Sequence, residues 1–531
     1  MRTLFPLAVY ALSASALSPA TIELVTARLK DAAQKSWELG TRAQALLELE
    51  APSVSVFTAS SIPGSPAASS SPSFNSATPN VARLAFTNGQ LDDVVGLSHE
   101  ILAKKEPGTL PLMKDGSSAD PASNGVGMII ANWTEAQGSD FAAAASDQLT
   151  WLLEHVPRSQ KGAISHRNSE VQLWSDFIYM VPPFLAYYGA STSNVSLITE
   201  AHKQIKLYRD VLRDKATGVW QHIRQGSFED KGLWSTGNGW AAMGIMRVAA
   251  TIRAAGYSSQ FTNEMNDFEA WTAEILDGMW PLVTEEGLFY NYANDSKSFL
   301  DASGTALMVA STYRAAVMFN NTKHLDIAEK VYKIIEGTEA NSTSSTSTAE
   351  PTGVTRKHRA VRQVHHRVQL SQVKHTNEGH EPLALVNAPS GQLISRAPTH
   401  ITSVGWLTPV VDPHSFRKLG EHSAEGQAFV IMMYTSRNDY LSHSKLKIGS
   451  KLGGTGANVI GLSTTNGDQG LNSTGAGGLT GVGNVGAGLT SGSSPTTEER
   501  KNGDYKAASF EVGTIIGAVI SCSGDCVQVH I

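Results

Sequence analysis

Apolar residues recur at steps of three and four along most of the chain, which is the spacing of one face of an α-helix. Residues 141–153 and 241–252 show this pattern. Strand patterns, in which apolar and polar residues alternate, are few and short. The helical pattern predicts twelve helices, at residues 21–47, 90–104, 121–136, 139–155, 171–188, 196–213, 238–254, 262–280, 303–318, 322–336, 398–408 and 423–440.

Twelve helices can pair into six antiparallel hairpins. We therefore predict an all-α fold in which six hairpins close into an (α/α)6 barrel. The loops at one end of such a barrel form a pocket. Most of the candidate functional residues fall where a predicted helix meets a loop, so we expect the functional site at one end of the barrel.

Three stretches interrupt the helical pattern. Residues 51–80 are rich in Ser, Pro and Ala, and residues 337–397 begin with a Ser/Thr run that leads into a basic, His-rich stretch. Residues 446–531 are mainly Gly, Ser, Thr and Asn, which bury too little apolar surface to order a chain. We predict a barrel domain over 17–445, irregular inserts at 51–80 and 337–397, and a disordered tail at 446–531. The His-rich stretch is open to a metal or a polyanion, but a solvated loop is favoured.

The N-terminus has the pattern of a secretory signal peptide. Arg2 precedes an apolar run at residues 4–12, and the small residues 14–16 fit a cleavage site. We therefore predict a secreted, extracellular glycoprotein, with an ordinary buried N-terminal helix as the alternative for residues 1–16. Six Asn-x-Ser/Thr sequons support export: Asn132, Asn194, Asn294, Asn320, Asn341 and Asn472.

The composition excludes some classes of partner. The 531 residues are 41% hydrophobic and 17% charged, enough for a large core, and the net charge of −6 argues against a nucleic-acid partner. Cys522 and Cys526 are the only cysteines, so neither a disulfide framework nor a zinc site is expected. Residues 512–520 are apolar but too short to span a bilayer, so no stable membrane insertion is expected.

Asp176 lies inside the aromatic and apolar run 173–184, at the predicted start of a buried helix. A buried carboxylate is costly unless it is paired or protonated. This cost indicates a role in proton transfer, with Trp174 and Tyr179 offering flat faces to a sugar. The alternative is a carboxylate that binds the first-turn N–H groups of its own helix.

Other polar residues stand at predicted helix starts and loops. Asp120, before Pro121, is a candidate second catalytic carboxylate or a helix N-cap. His166 and His222 lie on loops, where each can hydrogen-bond a sugar or set the charge of a carboxylate, with a structural histidine as the alternative. Asp301 opens a turn whose hydroxyl-bearing residues either face the pocket or cap the next helix.

Residues 232–240 form a glycine-rich turn with Trp234 and Trp240 at its flanks. Gly237 and Gly239 permit a tight backbone turn, and Asn238 tolerates unusual backbone angles. The two tryptophans can wall a sugar pocket. A phosphate-binding loop is disfavoured because no strand precedes the segment and no Lys-Ser/Thr follows it. A Ser-His-Asp hydrolase is disfavoured because no Gly-x-Ser-x-Gly segment lies between a strand and a helix.

Together these segments resemble the six-hairpin glycosidases, specifically the unsaturated rhamnogalacturonyl and glucuronyl hydrolases of glycoside hydrolase families 105 and 88. The resemblance runs from about residue 85 to 335, resumes weakly at 398–441, and is close to secreted fungal members. Its specific motifs are residues 172–180 and 234–240. Its weaker motifs are Asp120 with Gly125 five residues on, and residues 217–222.

The resemblance implies a reaction that needs no metal and no cofactor. Members of these families remove an unsaturated uronic acid from the non-reducing end of an oligosaccharide substrate. Asp176 matches the general acid/base, which protonates C4 of the C4=C5 enol ether before water adds at C5, and Asp120 matches the second carboxylate. Asp176 is then expected to hold a proton near the working pH. The candidate substrate-binding residues are His166, Arg167, Trp174, Tyr179, His222, Trp234, Thr236, Asn238 and Trp240.

Thr236 stands where many members of the family have Arg. A neutral Thr cannot make the bidentate contact that Arg makes with a carboxylate, although Arg167 or Arg224 can supply that contact in space. The first hypothesis is therefore a hydrolase of unsaturated uronyl oligosaccharides. The second is a conventional glycosidase acting on a saturated, neutral sugar, which Thr236 favours. The third is a non-catalytic carbohydrate-binding surface protein, which the Gly/Ser-rich tail favours.

Overall fold

The computed structural model describes residues 17–69, 89–134, 139–337 and 399–452. These residues belong to one compact unit. The predicted signal peptide, most of the insert at 337–397 and the tail beyond 452 lie outside the described residues. Of the predicted insert at 51–80, residues 51–69 are described; they form turns and a single helical turn at Pro66–Ser69.

Twelve helices of ten or more residues make up most of the described chain. They are α1 (Pro19–Ala32), α2 (Ser36–Leu49), α3 (Asp92–Lys104), α4 (Gly125–Thr134), α5 (Ser139–Thr150), α6 (Pro182–Ser191), α7 (Val195–Leu212), α8 (Ser235–Ala254), α9 (Thr262–Met279), α10 (Ala302–Phe319), α11 (Leu325–Glu336) and α12 (Ala424–Leu452).

The even-numbered helices form an inner ring and the odd-numbered helices surround it. Along the ring each even-numbered helix packs against the next, and α12 packs against α2, so the ring closes. On the outside, α7 packs against α6, α9 against α8, α11 against α10 and α1 against α12. The predicted all-α (α/α)6 six-hairpin barrel is therefore confirmed.

Burial follows from this arrangement. Nearly every residue of α8 is buried, because an inner helix has neighbours on all sides. In contrast, α11 buries one stripe, which includes Ala328, Val331 and Ile335, and turns its lysines outward. The three- and four-residue spacing is therefore clearest in the outer helices.

The described residues also form three small antiparallel sheets. Strand β1 (Leu173–Trp174) pairs with β2 (Ile223–Arg224), and β3 (Phe289–Tyr290) pairs with β4 (Leu300–Asp301). A hairpin near the end of the described chain contains β5 (Val410–Asp412) and β6 (Ser415–Gly420). These strands lie in the connections between helices and set the course of the loops that carry the site.

Three of the helix predictions are wrong. The segment 171–188 is not one helix, because it contains strand β1 and becomes helical only at Phe177, with Val181 separating the turn Phe177–Met180 from α6. The segment 21–47 is not one helix, because Ala33 and Lys35 have extended backbone angles and separate α1 from α2. The segment 398–408 has no helix in its described residues 399–408 and instead forms a turn in which Ile401 bridges Leu407. Gly405, with φ of 92°, and the proline that follows the segment both disfavour a continuous helix there.

The centre of the barrel contains a buried ion network. Glu48 of α2 accepts hydrogen bonds from Arg247 of α8 and, at 2.7 Å, from Arg314 of α10. Thr435 of α12 donates a further hydrogen bond to Glu48 over 3.2 Å. Each charge has a partner, which is the condition for burying it at an acceptable cost. The network therefore joins four helices of the inner ring.

None of the described helices is both long enough and apolar enough to cross a membrane.

Candidate active site

A pocket of about 930 Å³, part of it open to solvent, lies at the end of the barrel where the inner helices begin. Each inner helix contributes a residue at or just before its first turn. The contributors are Trp37 for α2, Asp120 for α4, Met180 for α6, Thr236 for α8, Ser303 for α10 and Glu425 for α12. Helix N-termini carry partial positive charge, so this end of the barrel suits an anionic ligand.

Asp120 is one of two predicted catalytic carboxylates that line the pocket. It is the first residue of a short 3₁₀ helix, Asp120–Asn124, whose N-cap position is held by Ala119, so Asp120 itself is not the N-cap. Burial raises the pKa of Asp120 well above its ordinary value, and the charges of Asp115 and Asp176 raise it further. Of the two predicted catalytic carboxyl groups, Asp120 is therefore the one that tends to stay protonated.

Asp176, the second carboxylate, lies beside a histidine. It precedes the helical turn Phe177–Met180 but makes no capping hydrogen bond to it. His222 Nε2 lies 3.6 Å from Asp176 Oδ2, and the Ser175 hydroxyl donates to the same oxygen over 3.2 Å. Burial alone would raise the pKa of Asp176, but the His222 imidazole beside it outweighs burial, so the pKa is lowered. The expectation that burial keeps Asp176 protonated is corrected accordingly.

The two predicted histidines of the pocket, His166 and His222, differ in charge. Burial lowers the pKa of His166 to about 4, so its imidazole is neutral at neutral pH. Its ring stacks on Trp174, with 4.8 Å between ring centroids, and its Nε2 lies 3.7 Å from Asp120 Oδ1. Burial alone would lower the pKa of His222, but its carboxylate neighbours Asp176 and Asp230 outweigh burial and raise it. His222 therefore favours the imidazolium form.

Aromatic rings enclose the carboxylates. Trp174, Trp234 and Trp240 all line the pocket, as the sequence motifs predict. Phe416, from β6, adds a further ring and lies 4.5 Å from His222 and 6.1 Å from Trp174 between ring centroids. Flat aromatic faces beside a polar centre are typical of sugar-binding pockets.

Thr236 lines the pocket, and its hydroxyl donates to Asp301 Oδ2 over 3.0 Å. Asp301 also accepts from the N–H groups of Ser303 and Gly304, so it caps α10. Arg167 lines the pocket with its guanidinium 5.8 Å from the Trp174 ring centroid. Arg224, the other candidate cation, does not line it and pairs with Glu229 at 3.1 Å. Arg167 is thus the guanidinium available to a ligand carboxylate.

Two predicted substrate-binding residues lie behind the pocket lining. Tyr179 is buried, and its ring packs 4.4 Å from Trp240 and 5.1 Å from the guanidinium carbon of Arg247. Asn238 is fully buried and bonds only to backbone in the described structure, to Trp220 and to Trp234 O. Both residues support the wall of the pocket, and their assignment as substrate contacts is corrected.

The structure also brings in residues that the sequence analysis missed. Asp115, His414, Phe416 and Glu425 line the pocket. Burial raises the pKa of Glu425 to about 7, with the charge of Glu38 as a further cause. These residues lie in loops or at a helix start, and no recognisable sequence motif surrounds them. Phe416, for example, lies in a Ser-Phe-Arg-Lys run that indicates no function by itself. Among the described residues, no three His, Cys, Asp or Glu side chains are grouped as metal ligands.

The barrel and its pocket of paired carboxylates and aromatic rings define a carbohydrate-active enzyme. Residues 100–377 match Glycosyl Hydrolase Family 88. The chain belongs to this family and is a glycoside hydrolase, whose substrate is an oligosaccharide. No curated protein matches the sequence.

Solved structures share the fold at low sequence identity. A possible member of glycoside hydrolase family 105 from Salmonella enterica serovar Paratyphi A has a TM-score of 0.52 at 14% identity, covering 82% of this chain and 100% of that one. A similar protein from Klebsiella pneumoniae also has a TM-score of 0.52 at 14% identity, covering 80% and 93%. A family 88 glycosyl hydrolase from Bacteroides vulgatus has a TM-score of 0.50 at 12% identity, covering 79% and 98%.

Proposed function

We propose that this glycoside hydrolase removes an unsaturated uronic acid from the end of an oligosaccharide by hydrating its C4=C5 double bond. The observation that carries the proposal is the pairing, in one pocket, of a carboxyl that favours its proton, Asp120, with a carboxylate, Asp176, beside a charged histidine, His222. Because their environments push their pKa values apart, the two carboxyl groups are suited to different tasks, Asp120 as a neutral hydrogen-bond donor and Asp176 as the group that transfers protons. The motif resemblance at 172–180 and 234–240 supports the same reaction.

The proton for C4 comes from the pair formed by Asp176 and His222. Transfer of the His222 proton to Asp176 Oδ2, 3.6 Å away, gives a carboxylic acid and a neutral imidazole. The acid protonates C4, and positive charge develops at C5 and the ring oxygen. Asp176, again a carboxylate, then accepts a proton from the water whose oxygen bonds to C5. The resulting hemiketal opens, C1 becomes an aldehyde, and the second sugar leaves as an alcohol.

Asp120 has a different task in this scheme. Because its pKa is raised, it faces the substrate as a neutral hydrogen-bond donor and adds no second negative charge beside Asp176. A neutral neighbour allows Asp176 to remain a carboxylate between the two proton transfers. His166, also neutral, lies 3.7 Å from Asp120 and stabilises its position.

The uronate carboxylate of the substrate is bound by Arg167 in this proposal. Thr236 provides only a hydroxyl, and that hydroxyl already donates to Asp301. Arg167 supplies the guanidinium that many family members carry at the position of Thr236. The six inner-helix N-termini at this end of the barrel add a favourable field for an anion.

Secretion and glycosylation remain part of the proposal. Three of the predicted sequons, Asn194, Asn294 and Asn320, are exposed at the surface, where an attached glycan meets no steric obstacle from the core. The signal-peptide pattern of residues 1–16 agrees with export. Mass spectrometry of the protein secreted by a eukaryotic host, before and after deglycosylation, tests both statements.

The reaction is tested by mixing the purified protein with unsaturated oligosaccharides from lyase-treated pectin and glycosaminoglycans. Loss of the ultraviolet absorbance of the C4=C5 bond reports turnover. We expect loss of absorbance with the wild-type protein and none with Asp176→Asn, while Asp210→Asn, at an exposed surface ion pair, behaves as wild type. A constant absorbance with every substrate would contradict the proposal.

A conventional glycosidase acting on a saturated, neutral sugar is the second candidate. The observation that favours it is Thr236, an uncharged residue in the pocket where many relatives have Arg. Release of reducing sugar from neutral glycans, together with a constant ultraviolet band, would support this activity instead.

A further inference from the structure

A line of polar groups runs from the pocket toward the protein surface through His222. On the pocket side, His222 Nε2 lies 3.6 Å from Asp176. On the far side, His222 Nδ1 lies 3.2 Å from Asp230 Oδ2. Asp230 is itself contacted by Tyr292 and Arg417, and the Arg417 side chain is more than half exposed. Asp230 does not line the pocket, so it reaches the substrate only through His222.

The imidazole of His222 is fixed between its two carboxylate neighbours. Its ring centroid lies 4.4 Å from Trp234, 4.5 Å from Phe416 and 5.4 Å from Trp174, and the side chain is fully buried. The backbone holds the same residue, since His222 N–H donates to Gly232 O over 3.0 Å. Its two nitrogens therefore point in fixed directions, one toward each carboxylate.

Asp230 is held just as firmly. Its Oδ1 accepts from the N–H of Gly232 over 3.1 Å and lies 3.3 Å from Arg417 Nη2, and its Oδ2 accepts from the Tyr292 hydroxyl. A Cβ at Gly232 would lie 2.3 Å from the Tyr292 ring, so the glycine leaves room for tyrosine at this position. Three separate segments of the chain thus converge on a carboxylate outside the pocket.

We infer that Asp230 is a positioning residue that holds the proton on Nδ1 of His222, so that Nε2 presents its own proton to Asp176. The inference rests on the function proposed above. A carboxylate on one imidazole nitrogen fixes which nitrogen carries hydrogen and stabilises the imidazolium. The Arg417 guanidinium and the Tyr292 hydroxyl both stabilise the carboxylate form of Asp230. They therefore limit how strongly Asp230 attracts the proton on Nδ1 of His222.

The charges that face His222 agree with this assignment. Asp176 and Asp230 each raise the pKa of His222. The charge of His222 helps to lower the pKa of His166, so the His166 imidazole is neutral. Burial alone would raise the pKa of Asp230, but hydrogen bonds with His222 and Tyr292 outweigh burial and lower it, so Asp230 favours the carboxylate form. Arg417, from β6, supplies the positive charge at the surface end of the line.

The test compares the pKa of His222 in full-length variants by NMR titration of histidine ring signals, assigned with His222→Gln. Asp230→Asn is expected to lower that pKa by about one unit or more, because a carboxylate is lost beside the ring. Arg417→Gln is expected to raise it, because a cation is removed from Asp230. Opposite shifts from two substitutions in one line cannot come from general loosening of the structure.

The matched control is Asp277→Asn. Asp277 forms another histidine–carboxylate pair, 2.7 Å from His324, away from the pocket lining. This control is expected to leave the His222 pKa and the pH profile of kcat/KM unchanged. In contrast, Asp230→Asn is expected to move the alkaline limb of that profile to lower pH and to reduce kcat by up to about 10²-fold, with KM nearly constant.

The NMR measurement needs no substrate, so it decides the inference even where the proposed reaction fails. A His222 pKa that is the same in wild type, Asp230→Asn and Arg417→Gln would overturn the inference. If the His222 pKa shifts have the expected signs but no unsaturated uronide is turned over, the inference about Asp230 holds and only the proposed function is contradicted.

Discussion

Asp301 and Val411 are joined by a hydrogen bond from the Val411 N–H to Asp301 Oδ1, 3.1 Å long. The other oxygen of the same carboxylate accepts from Thr236. Asp301 therefore connects the starts of α8 and α10 with β5, the first strand of the hairpin that carries Phe416. A single buried carboxylate fixes one wall of the pocket.

Replacement of this carboxylate tests its role as a connector. In Asp301→Asn the amide NH2 group replaces one accepting carboxylate oxygen and faces N–H or O–H donors. Those buried donors then lack a hydrogen-bond acceptor. We expect a loss of about 1–3 kcal/mol in the free energy of unfolding, measured by denaturant titration. Asp295→Asn, on an exposed turn, serves as the control and is expected to change stability little.

The ion network at the barrel centre gives a larger effect. Glu48→Gln removes the negative charge between Arg247 and Arg314 while it keeps the size of the side chain. The buried Arg247 guanidinium then lacks a counter-charge, whereas Arg314 keeps its ion pair with Asp439, and we expect about 3–5 kcal/mol of destabilisation. Asp210→Asn, which breaks the exposed pair with Lys206, is expected to cost about 1 kcal/mol or less. Equal effects of the two substitutions would contradict this account.

Asp120 makes stability depend on pH. Its folded-state pKa is raised above its unfolded value, so the unfolded chain loses this proton at lower pH than the native protein does. The contribution of Asp120 to stability is therefore full below the unfolded pKa and is lost as pH rises toward the folded one. We expect Asp120→Asn to match wild type in thermal stability near about pH 3 and to exceed it as pH rises above the ordinary Asp value of 3.8.

That comparison has a simple control. Asp147 is partly exposed, pairs with Lys105 and does not line the pocket. The stability difference between Asp147→Asn and wild type is not expected to grow with pH in favour of the variant. A constant difference for Asp120→Asn would show that burial of its charge has no energetic cost.

Arg167 is expected to discriminate between charged and neutral substrates. Arg167→Gln should lower kcat/KM for unsaturated uronides by about tenfold or more, because a charge-assisted hydrogen bond is lost. Arg224→Gln, outside the pocket lining, should leave the rate nearly unchanged. The comparison is made by steady-state kinetics on one uronide and on its carboxyl-reduced form. An equal loss of kcat/KM on both substrates would show that Arg167 does not recognise the carboxylate.

The sequence indicated the parts of the site that depend on local patterns. Asp120, Asp176 and Thr236 stand at the starts of buried helical segments, so the change from loop to apolar repeat marks them. The tryptophans of the glycine-rich turn were found for the same reason. The predicted tight turn at Gly237 and Gly239 is instead the start of α8, and neither glycine has a positive φ. The side chain of Asn238 points to backbone groups there, and a sequence pattern does not determine the direction of a side chain.

The residues that were missed reach the site through tertiary structure alone. Asp230 approaches His222 from a turn eight residues away, and Phe416 arrives from a hairpin beyond the insert. The break between α1 and α2 was missed because apolar spacing continues across it, with Val25, Leu29 and Leu46 all buried. Spacing reports which face is buried and does not report where the backbone leaves the helix.

Closure of the inner ring also governs when the enzyme can first act. The Trp37 indole donates to Glu425 Oε1 over 2.5 Å, although 388 positions separate the two residues along the chain. A ribosome therefore completes most of the protein before the last wall of the pocket exists. Long-range contacts of this kind form late in folding. Catalysis begins only when α12 has been synthesised, and until then the apolar sides of α2 and α10 that receive it are open to chaperones.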